Sequence, residues 1–544
     1  MPKFVFVSGG VISGLGKGVV TASIGRILKA RRYSVTAIKI DPYINVDAGT
    51  LRPTEHGEVW VTEDGGEIDQ DLGHYERFLD MDIPKKNNIT TGQVYLKVIQ
   101  DERAGKYLGK TVQLIPHITD EVIRRIREAG DGYDIVLVEI GGTVGDIENI
   151  PFLIAAKKLE LTEGRENVCH ILVTYLPVPG FLGEMKTKPT QHAIKALGEH
   201  GIIPDFIVCR SEHPVDEVRK RKIYVYANIP PDNVISDPDV EFVYEIPLIF
   251  EEQKLGEKLL KRLGLEQREP DLREWRRLVE RLKSPIDSVK IAIVGKYVSI
   301  GAYRLPDSYI SIAEALKHAS AHLGVRAEVE WVNSLELEKK PPEEALSGCH
   351  GVIVPGGFGS TGVEGKIAAI RWARETLTPY LGLCFGLQLA VVEYARNVCG
   401  LEGAHTTEID PDTPHPVVDI LPEQRKLIEE EKYGGTMRLG SYPAVLRPGT
   451  LVHKLYGRDV VYERHRHRYE VNPEYHGVLQ EHGLVFSGMS PDGRLVEFIE
   501  LPEHPFFVGT QAHPEFKSRF LKPHPLFKGF LEAAHRRKVG RSMR

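Results

Sequence analysis

The stretch Ser8-Gly9-Gly10-Val11-Ile12-Ser13-Gly14-Leu15-Gly16-Lys17-Gly18 constrains this chain more than any other. It follows an apolar run, Phe4-Val5-Phe6-Val7, and precedes apolar residues on helical spacing at Val20, Ile24, Ile27 and Leu28. That pattern predicts a strand, a glycine-rich turn and the N-terminus of a helix. Glycines let backbone amides close on a phosphate, and the helix dipole adds positive potential. Lys17 brings a mobile charge to the place a β- or γ-phosphate would occupy. The phosphate-loop pattern has Ser or Thr directly after its lysine, whereas this chain has Gly18. A hydroxyl ligand for magnesium must therefore come from elsewhere, or carboxylates must hold the ion.

Candidate carboxylates and lysines follow in order. Val35-Thr-Ala-Ile-Lys39-Ile40 reads as a strand with Lys39 near its C-terminal end, the edge at which open α/β sheets bind ligands. The acidic stretch from Val61 to Asp71 reads as a loop; it is either a solvated face or a source of magnesium ligands. In Asp134-Ile-Val-Leu-Val-Glu139, four apolar residues lead to a carboxylate at a strand end, the Walker-B arrangement in physical terms. Further on, Lys186-Thr187-Lys188-Pro189-Thr190-Gln191 opens a helical pattern with two lysines, hydroxyls and an early proline. That makes a second anion site or a solvated basic turn. Lys222 stands in the basic run Arg219-Lys220-Arg221-Lys222 and has no reading of its own.

At 544 residues the chain exceeds one core. Residues 251–288 turn rich in Glu, Lys, Arg and Leu, punctuated by Pro270 and Pro285. They predict a linker with a helix over 271–282. The expected division is 1–265, a linker at 266–288, and 289–544, where a new βα series starts at Val289-Lys-Ile-Ala-Ile-Val-Gly295.

The second half carries different chemistry. Tyr380-Leu-Gly-Leu-Cys384-Phe385-Gly386 is a strand, a Gly-x-Cys-x-Gly turn and a helical run to about Arg396. A thiol on such a turn faces a helix N-terminus, which favours thiolate and supplies oxyanion amides. Val352-Ile-Val-Pro355-Gly356-Gly357-Phe358-Gly359 is a second glycine turn suited to give another oxyanion amide. His513-Pro514-Glu515 closes a late strand; residues two apart share a face, so His513 can act as base and Glu515 orient it. Glu463-Arg464-His465-Arg466-His467-Arg468-Tyr469 alternates with period two. With no further ligands nearby, one arginine aimed at a small carboxylate ligand is more economical than a metal or nucleic-acid site.

Composition excludes several classes. A net charge of −6 gives no support to a nucleic-acid partner. No apolar run approaches the roughly 20 residues of a membrane span, and Met1-Pro2-Lys3 running into a strand is not read as a signal peptide. Five scattered cysteines without CxxC spacing predict neither a disulfide framework nor a zinc site, and point to a reducing cytoplasm.

Together these stretches resemble the cytidine triphosphate synthase family along essentially the whole chain. The resemblance rests on Ser13 to Gly18, Lys39 to Asn45, Asp71 to Phe78, Val138 to Glu148, Lys186 to Gln191, Pro355 to Gly359, Cys384, Gly435 to Gly440, Arg464 to Tyr469 and His513 to Glu515. It implies an α/β chain: an N-terminal P-loop-like, dethiobiotin-synthetase-like parallel-sheet domain, then a class I glutamine amidotransferase domain. The first would phosphorylate UTP with ATP and magnesium, and ammonia would displace the phosphate to give CTP. By the resemblance, Gly14, Leu15, Gly16, Lys17, Gly18, Val19, Lys39, Asp71, Asp239 and Val240 bind ATP. Asp71 and Glu139 hold magnesium. Ser13, Asp146, Ile147, Glu148, Lys186, Thr187, Lys188, Pro189, Thr190, Gln191 and Lys222 bind UTP, or CTP as feedback inhibitor. In the second half Cys384, His513 and Glu515 are catalytic, and Gly357, Phe385, Gly386, Leu387, Gln388, Glu408 and Arg468 bind glutamine. GTP as allosteric activator and a homotetramer are further implications of the resemblance.

Overall fold

The computed structural model describes residues 2–542 other than 52–56, 181–182, 297–298, 301–302, 305, 358 and 421–436. Phe358 and Gly435-Thr436, both in motifs named above, lie outside the described residues. The backbone forms two compact units, Met1–Thr50 with Glu67–Val279 and Leu51–Gly66 with Glu280–Arg544.

The first unit is built on seven strands: β1 (Lys3–Gly9), β2 (Val35–Asp41), β3 (Asn88–Thr90), β4 (Ile135–Ile140), β5 (Val168–Tyr175), β6 (Phe206–Ser211) and β7 (Val234–Pro238). They lie in the order β3-β2-β4-β1-β5-β6-β7, all parallel. Every residue of β2 and β4 is buried, because helices cover both faces of a parallel sheet. That is why these strands read as unbroken apolar runs rather than alternating ones. Helix α1 (Lys17–Lys29) starts from Gly16, whose φ of 80° is left-handed, and buries Val20, Ile24, Ile27 and Leu28. Helix α2 (Asp71–Leu79) packs beside it, and α3 (Lys188–Glu199) carries Pro189 in its first turn. The pairing sets Val7 opposite Glu139 and Glu139 opposite Lys39. One sheet edge thus collects the glycine turn, Glu139 and Lys39.

Helix α4 (Arg273–Lys283) occupies the stretch expected to be helical. Its Trp275 is buried and donates to the Tyr244 carbonyl at 2.8 Å.

The second unit's main sheet has nine strands: β8 (Asp287–Gly295), β9 (Val325–Asn333), β10 (Gly351–Val354), β11 (Tyr380–Leu383), β12 (Arg438–Leu446), β13 (Val460–His467), β14 (Val485–Met489), β15 (Val496–Glu500) and β16 (Phe507–Thr510). The order is β9-β8-β10-β11-β16-β15-β14-β12-β13. The first five run parallel and the rest extend them antiparallel. Helix α5 (Val363–Glu375) follows the turn after β10, and α6 (Phe385–Asn397) follows β11. Leu383 pairs with Thr510, so Cys384 and the segment Gln511 to His513 leave the sheet side by side.

The segment 57–66 packs within this second unit. Trp60 is buried against Phe516, ring centroids 5.0 Å apart. Glu63 accepts from Arg464 Nε at 2.8 Å and lies 3.1 Å from Lys517 Nζ. Burial alone would raise the Glu63 carboxyl, but those two cations hold it at about 2. Arg464 is fully buried and also donates to the Val61 carbonyl at 2.9 Å. The carboxylate it meets belongs to the chain itself rather than to a ligand.

Candidate active sites

In the first unit the charged residues converge at the C-terminal edge of β1, β2 and β4. Lys17 Nζ reaches back to donate to the Gly142 carbonyl at 2.9 Å. Lys39 Nζ donates to Asp71 and to Glu139, the latter at 3.0 Å, and lies 3.8 Å from Asp41. Tyr75 donates its hydroxyl to the other Glu139 oxygen. Burial disfavours the Lys39 charge, yet Asp71 and Glu139 overcome it and hold the ammonium well above its ordinary range. Asp69, half-buried beside Asp71, is pushed up to about 8 by desolvation and that neighbouring carboxylate.

The geometry explains Gly18. A Cβ built there would run into the Asp71 carboxylate. Asp71 fills the space in which the side chain of a phosphate-loop Ser or Thr would sit. Asp71 and Glu139 both aim an oxygen at one point, now taken by Lys39 Nζ. Two converging carboxylates suit Mg²⁺, which is bound through one or two such groups plus substrate phosphates. Ser13 and Gly14 are exposed on the turn, and Val19 is half-buried on α1. Leu15 turns its side chain into the core. Asp239 and Val240 follow β7, three strands from β1 on the same edge; Asp239 pairs with Arg210 at 3.1 Å.

The basic residues of the candidate second anion site also come together in this unit. Lys186 Nζ lies 2.6 Å from Glu184, Arg219 3.0 Å and Lys222 3.8 Å. Gln191, Arg221 and Lys222 line one open hollow of about 600 Å³. Lys222, uninterpretable in sequence, is thus joined to the 186–191 segment. Thr187 and Thr190 are buried, Thr190 against Thr174 at 3.2 Å, and Lys188 is exposed. Asp146 accepts the Thr143 N–H at 2.6 Å, while Ile147 and Glu148 are exposed.

In the second unit Cys384 sits between β11 and α6 with φ 50° and ψ −101°, a strained conformation of the kind found at functional turns. Its N–H is held by the Thr510 carbonyl at 2.8 Å. The first-turn amides of α6 that follow have no acceptor inside the helix. His513 Nδ1 bonds Glu515 Oε1 at 2.7 Å, which leaves the other ring nitrogen for the sulfur. Burial works against the imidazolium, but Glu515 and the neighbouring Cys384 sulfur raise it to about 10. Gly356 is required: a Cβ there would lie 2.8 Å from His513 Cε1 and 3.6 Å from Cys384 Cβ.

Around this pair, Glu408 accepts the Gly359 N–H at 3.0 Å. Burial raises its carboxyl, opposed by Lys296, Arg468 and Lys366. Glu408 and Arg468 are therefore gathered with Gly359. Gln388 is buried with Nε2 donating to the Tyr469 carbonyl at 2.9 Å and to Gln511 Oε1 at 3.3 Å, while its own Oε1 has no partner among the described residues. Phe385, Gly386 and Leu387 are buried in α6, so only their backbone can face a ligand.

Both halves of the chain are similar to known proteins. The family model described as CTP synthase N-terminus matches residues 3–265, and that described as glutamine amidotransferase class-I matches 304–533. The chain is 58% identical to a CTP synthase of Pyrococcus abyssi over 98% of both chains. It is 55% identical to one of Methanocaldococcus jannaschii over 99% of both. The chain belongs to the CTP synthase family. Among solved structures, the glutaminase domain of Trypanosoma brucei CTPS with bound acivicin is 38% identical, with a TM-score of 0.42, covering 46% of this chain and 94% of that one.

Four polar residues at the sites of this CTP synthase family member escaped the sequence reading. Asp69 and Tyr75 sit against Asp71 and Glu139, but an acidic loop and a helical tyrosine gave no sign of it. Lys366 is buried, its Nζ 5.2 Å from the Phe385 ring centroid. Burial and Lys296 push it down to about 7. The available signal was its place on the apolar stripe of α5, between Val363 and Ile370. Gln511 lies two residues before His513, a spacing that shares a face on extended chain.

Proposed function

We propose that this chain makes CTP from UTP, spending ATP and taking nitrogen from glutamine. The observation that carries the reading is relatedness to CTP synthases over 98% of the chain, so that neither half is left unaccounted for. In the first unit, Lys17 and Lys39 stabilise the γ-phosphoryl group of ATP as it passes to the uracil O4. Asp71 and Glu139 would hold magnesium, which supplies charge neutralisation to such transfers. Ammonia then adds at C4 and phosphate leaves, giving CTP. Glu184 keeps Lys186, Arg219 and Lys222 clustered for a triphosphate, which UTP and CTP share; CTP is thus a feedback inhibitor.

In the second unit, His513 takes the Cys384 thiol proton, and the sulfur attacks the glutamine side-chain carbonyl. The backbone amides at Phe385 and Gly357 stabilise the oxyanion. As the C–N bond breaks, His513 returns the proton to the leaving ammonia; water then hydrolyses the thioester to glutamate. Gln388 Oε1, a buried acceptor, suits the substrate amide, and Glu408 and Arg468 suit its ammonium and carboxylate. GTP activation, a homotetramer and work in the cytoplasm complete the proposal. No helix among the described residues is long and apolar enough to cross a membrane.

Cys384→Ala tests the division of labour. CTP formation from glutamine should disappear, while formation from ammonium salts persists and rises with pH as free ammonia increases. Normal turnover with glutamine, or loss of ammonia-dependent synthesis in a folded variant, refutes the reading.

A further inference from the structure

Among the described residues, the Cys384 sulfur has two polar neighbours besides His513. The Arg466 carbonyl stands 3.9 Å away and Gln511 Nε2 stands 3.7 Å away. A carbonyl can only accept, so it favours the protonated thiol. An amide N–H can only donate, so it favours the thiolate. Which end of Gln511 faces the sulfur therefore decides the sign of its effect.

The surrounding bonds settle that orientation. Tyr469 offers a carbonyl, which accepts from His467 Nδ1 at 3.1 Å and from Gln388 at 2.9 Å. Gln388 must then present its nitrogen at that end. The same nitrogen meets Gln511 at 3.3 Å, so Gln511 must present its oxygen to it. With Oε1 so engaged, the Gln511 NH₂ group is the end left for Cys384. Gln511 and Gln388 are at most 2% exposed, and flipping either amide would set two donors or two acceptors against each other in a dry site. His465 and His467 support the arrangement from behind: His465 Nδ1 lies 2.9 Å from His467 Nε2. This gives the buried half of the Arg464–Tyr469 alternation a part to play.

We propose that Gln511 is a catalytic residue of the glutaminase half, donating its amide N–H to the Cys384 sulfur and holding it as the nucleophilic thiolate. The inference rests on Cys384 being the nucleophile and deepens that reading.

The test uses full-length Gln511→Met, which keeps bulk but has no donor, and Gln511→Glu, which keeps an acceptor for Gln388. Alkylation of Cys384 by iodoacetamide is followed by mass of its peptide across pH. The other four cysteines, three buried and one half-buried, are read separately in this way. In both variants the pH of half-maximal alkylation should rise by about one unit. The kcat/KM for glutamine should fall about tenfold or more, with ammonia-dependent CTP formation kept within about twofold. An alkylation profile that superimposes on the wild type overturns the inference. So does joint loss of glutamine- and ammonia-dependent synthesis, which makes Gln511 a structural residue. Cys384→Ala run alongside separates the two levels. Glutamine turnover persisting there removes the nucleophile reading itself, whereas an inactive Cys384→Ala beside an unchanged Gln511→Met removes only the role of Gln511.

Discussion

Restoring the phosphate-loop consensus by Gly18→Ser should destroy ATP chemistry in this chain rather than improve it. A Cβ at position 18 runs into the Asp71 carboxylate, and a serine Oγ only adds bulk. The backbone cannot yield, since residue 18 lies in the first turn of α1, whose flanking Lys17 and Val20 are buried. Asp71 must move instead. Overpacking of this kind costs about 1–3 kcal/mol, and breaking the Lys39–Asp71 charge-assisted bond about 1.5–3 kcal/mol more. At 1.36 kcal/mol per factor of ten, a penalty of about 2.5–6 kcal/mol falling on the transition state lowers kcat by roughly two to four orders of magnitude. The assay is CTP formation from UTP, ATP and ammonium salt, read by the ultraviolet change as uracil becomes cytosine. Gly18→Ala should fail almost as badly, which assigns the loss to the Cβ and not to the hydroxyl. Glutamine hydrolysis should survive in both. Wild-type ammonia-dependent synthesis by Gly18→Ser would refute the argument, because a hydroxyl would then be replacing Asp71 without loss.

Three further outcomes follow from the charges. Lys186→Ala should weaken UTP and CTP together, by about 1.5–3 kcal/mol of lost charge-assisted bonding; inhibition constants for CTP and KM for UTP check it, and unequal effects would mean separate sites. Glu63→Gln should cost about 3–5 kcal/mol near neutral pH by leaving Arg464 buried without its carboxylate. Because the Glu63 carboxyl sits at about 2 against an ordinary 4.5, the gap in Tm between wild type and variant should be full above pH 4.5 and close as pH falls towards 2. Glu515→Gln removes the main support of the His513 imidazolium. With His513 at about 10 against an ordinary 6.5, that stabilisation is complete below pH 6.5 and fades as pH rises through 10, so the Tm gap should vanish at the alkaline end.

Much of both sites was legible because local pattern and covalent order determine it. The strand before Gly9, the helix from Lys17 and the Gly-x-Cys-x-Gly turn are each short-range features, and parallel βαβ topology brings strand ends to one edge whatever the intervening loops do. Lys39 and Glu139 could be placed at strand ends for that reason, and the register then put them side by side. What escaped was set by long-range packing. The acidic stretch from Val61 to Asp71 looked like one loop, yet Glu63 serves the second unit and Asp71 the first. Nothing local distinguishes two carboxylates eight residues apart. The alternating arginines and histidines were likewise opaque. Period two fixes which residues share a face, but not that Arg464 meets Glu63 while His467 bonds the backbone near Gln388.

Gly18 and Gly356 show why such sites read as glycine before they read as chemistry. In each, the decisive atom belongs to a residue far away in sequence, Asp71 in one case and His513 in the other, and the glycine is where a Cβ would have stood in its way. A missing side chain marks the approach without naming what approaches. At Gly18 this reverses the usual inference: the departure from the phosphate-loop pattern leaves room for a carboxylate from α2. The same reasoning applies to Cys384, where φ of 50° on a residue with a Cβ costs of order 1–3 kcal/mol. Glycine would relieve that strain but remove the sulfur, so the strained backbone persists only because the Thr510 carbonyl and the packing of α6 hold it. In both halves the backbone is bent to the needs of one reactive group, and the neighbouring glycines absorb the crowding.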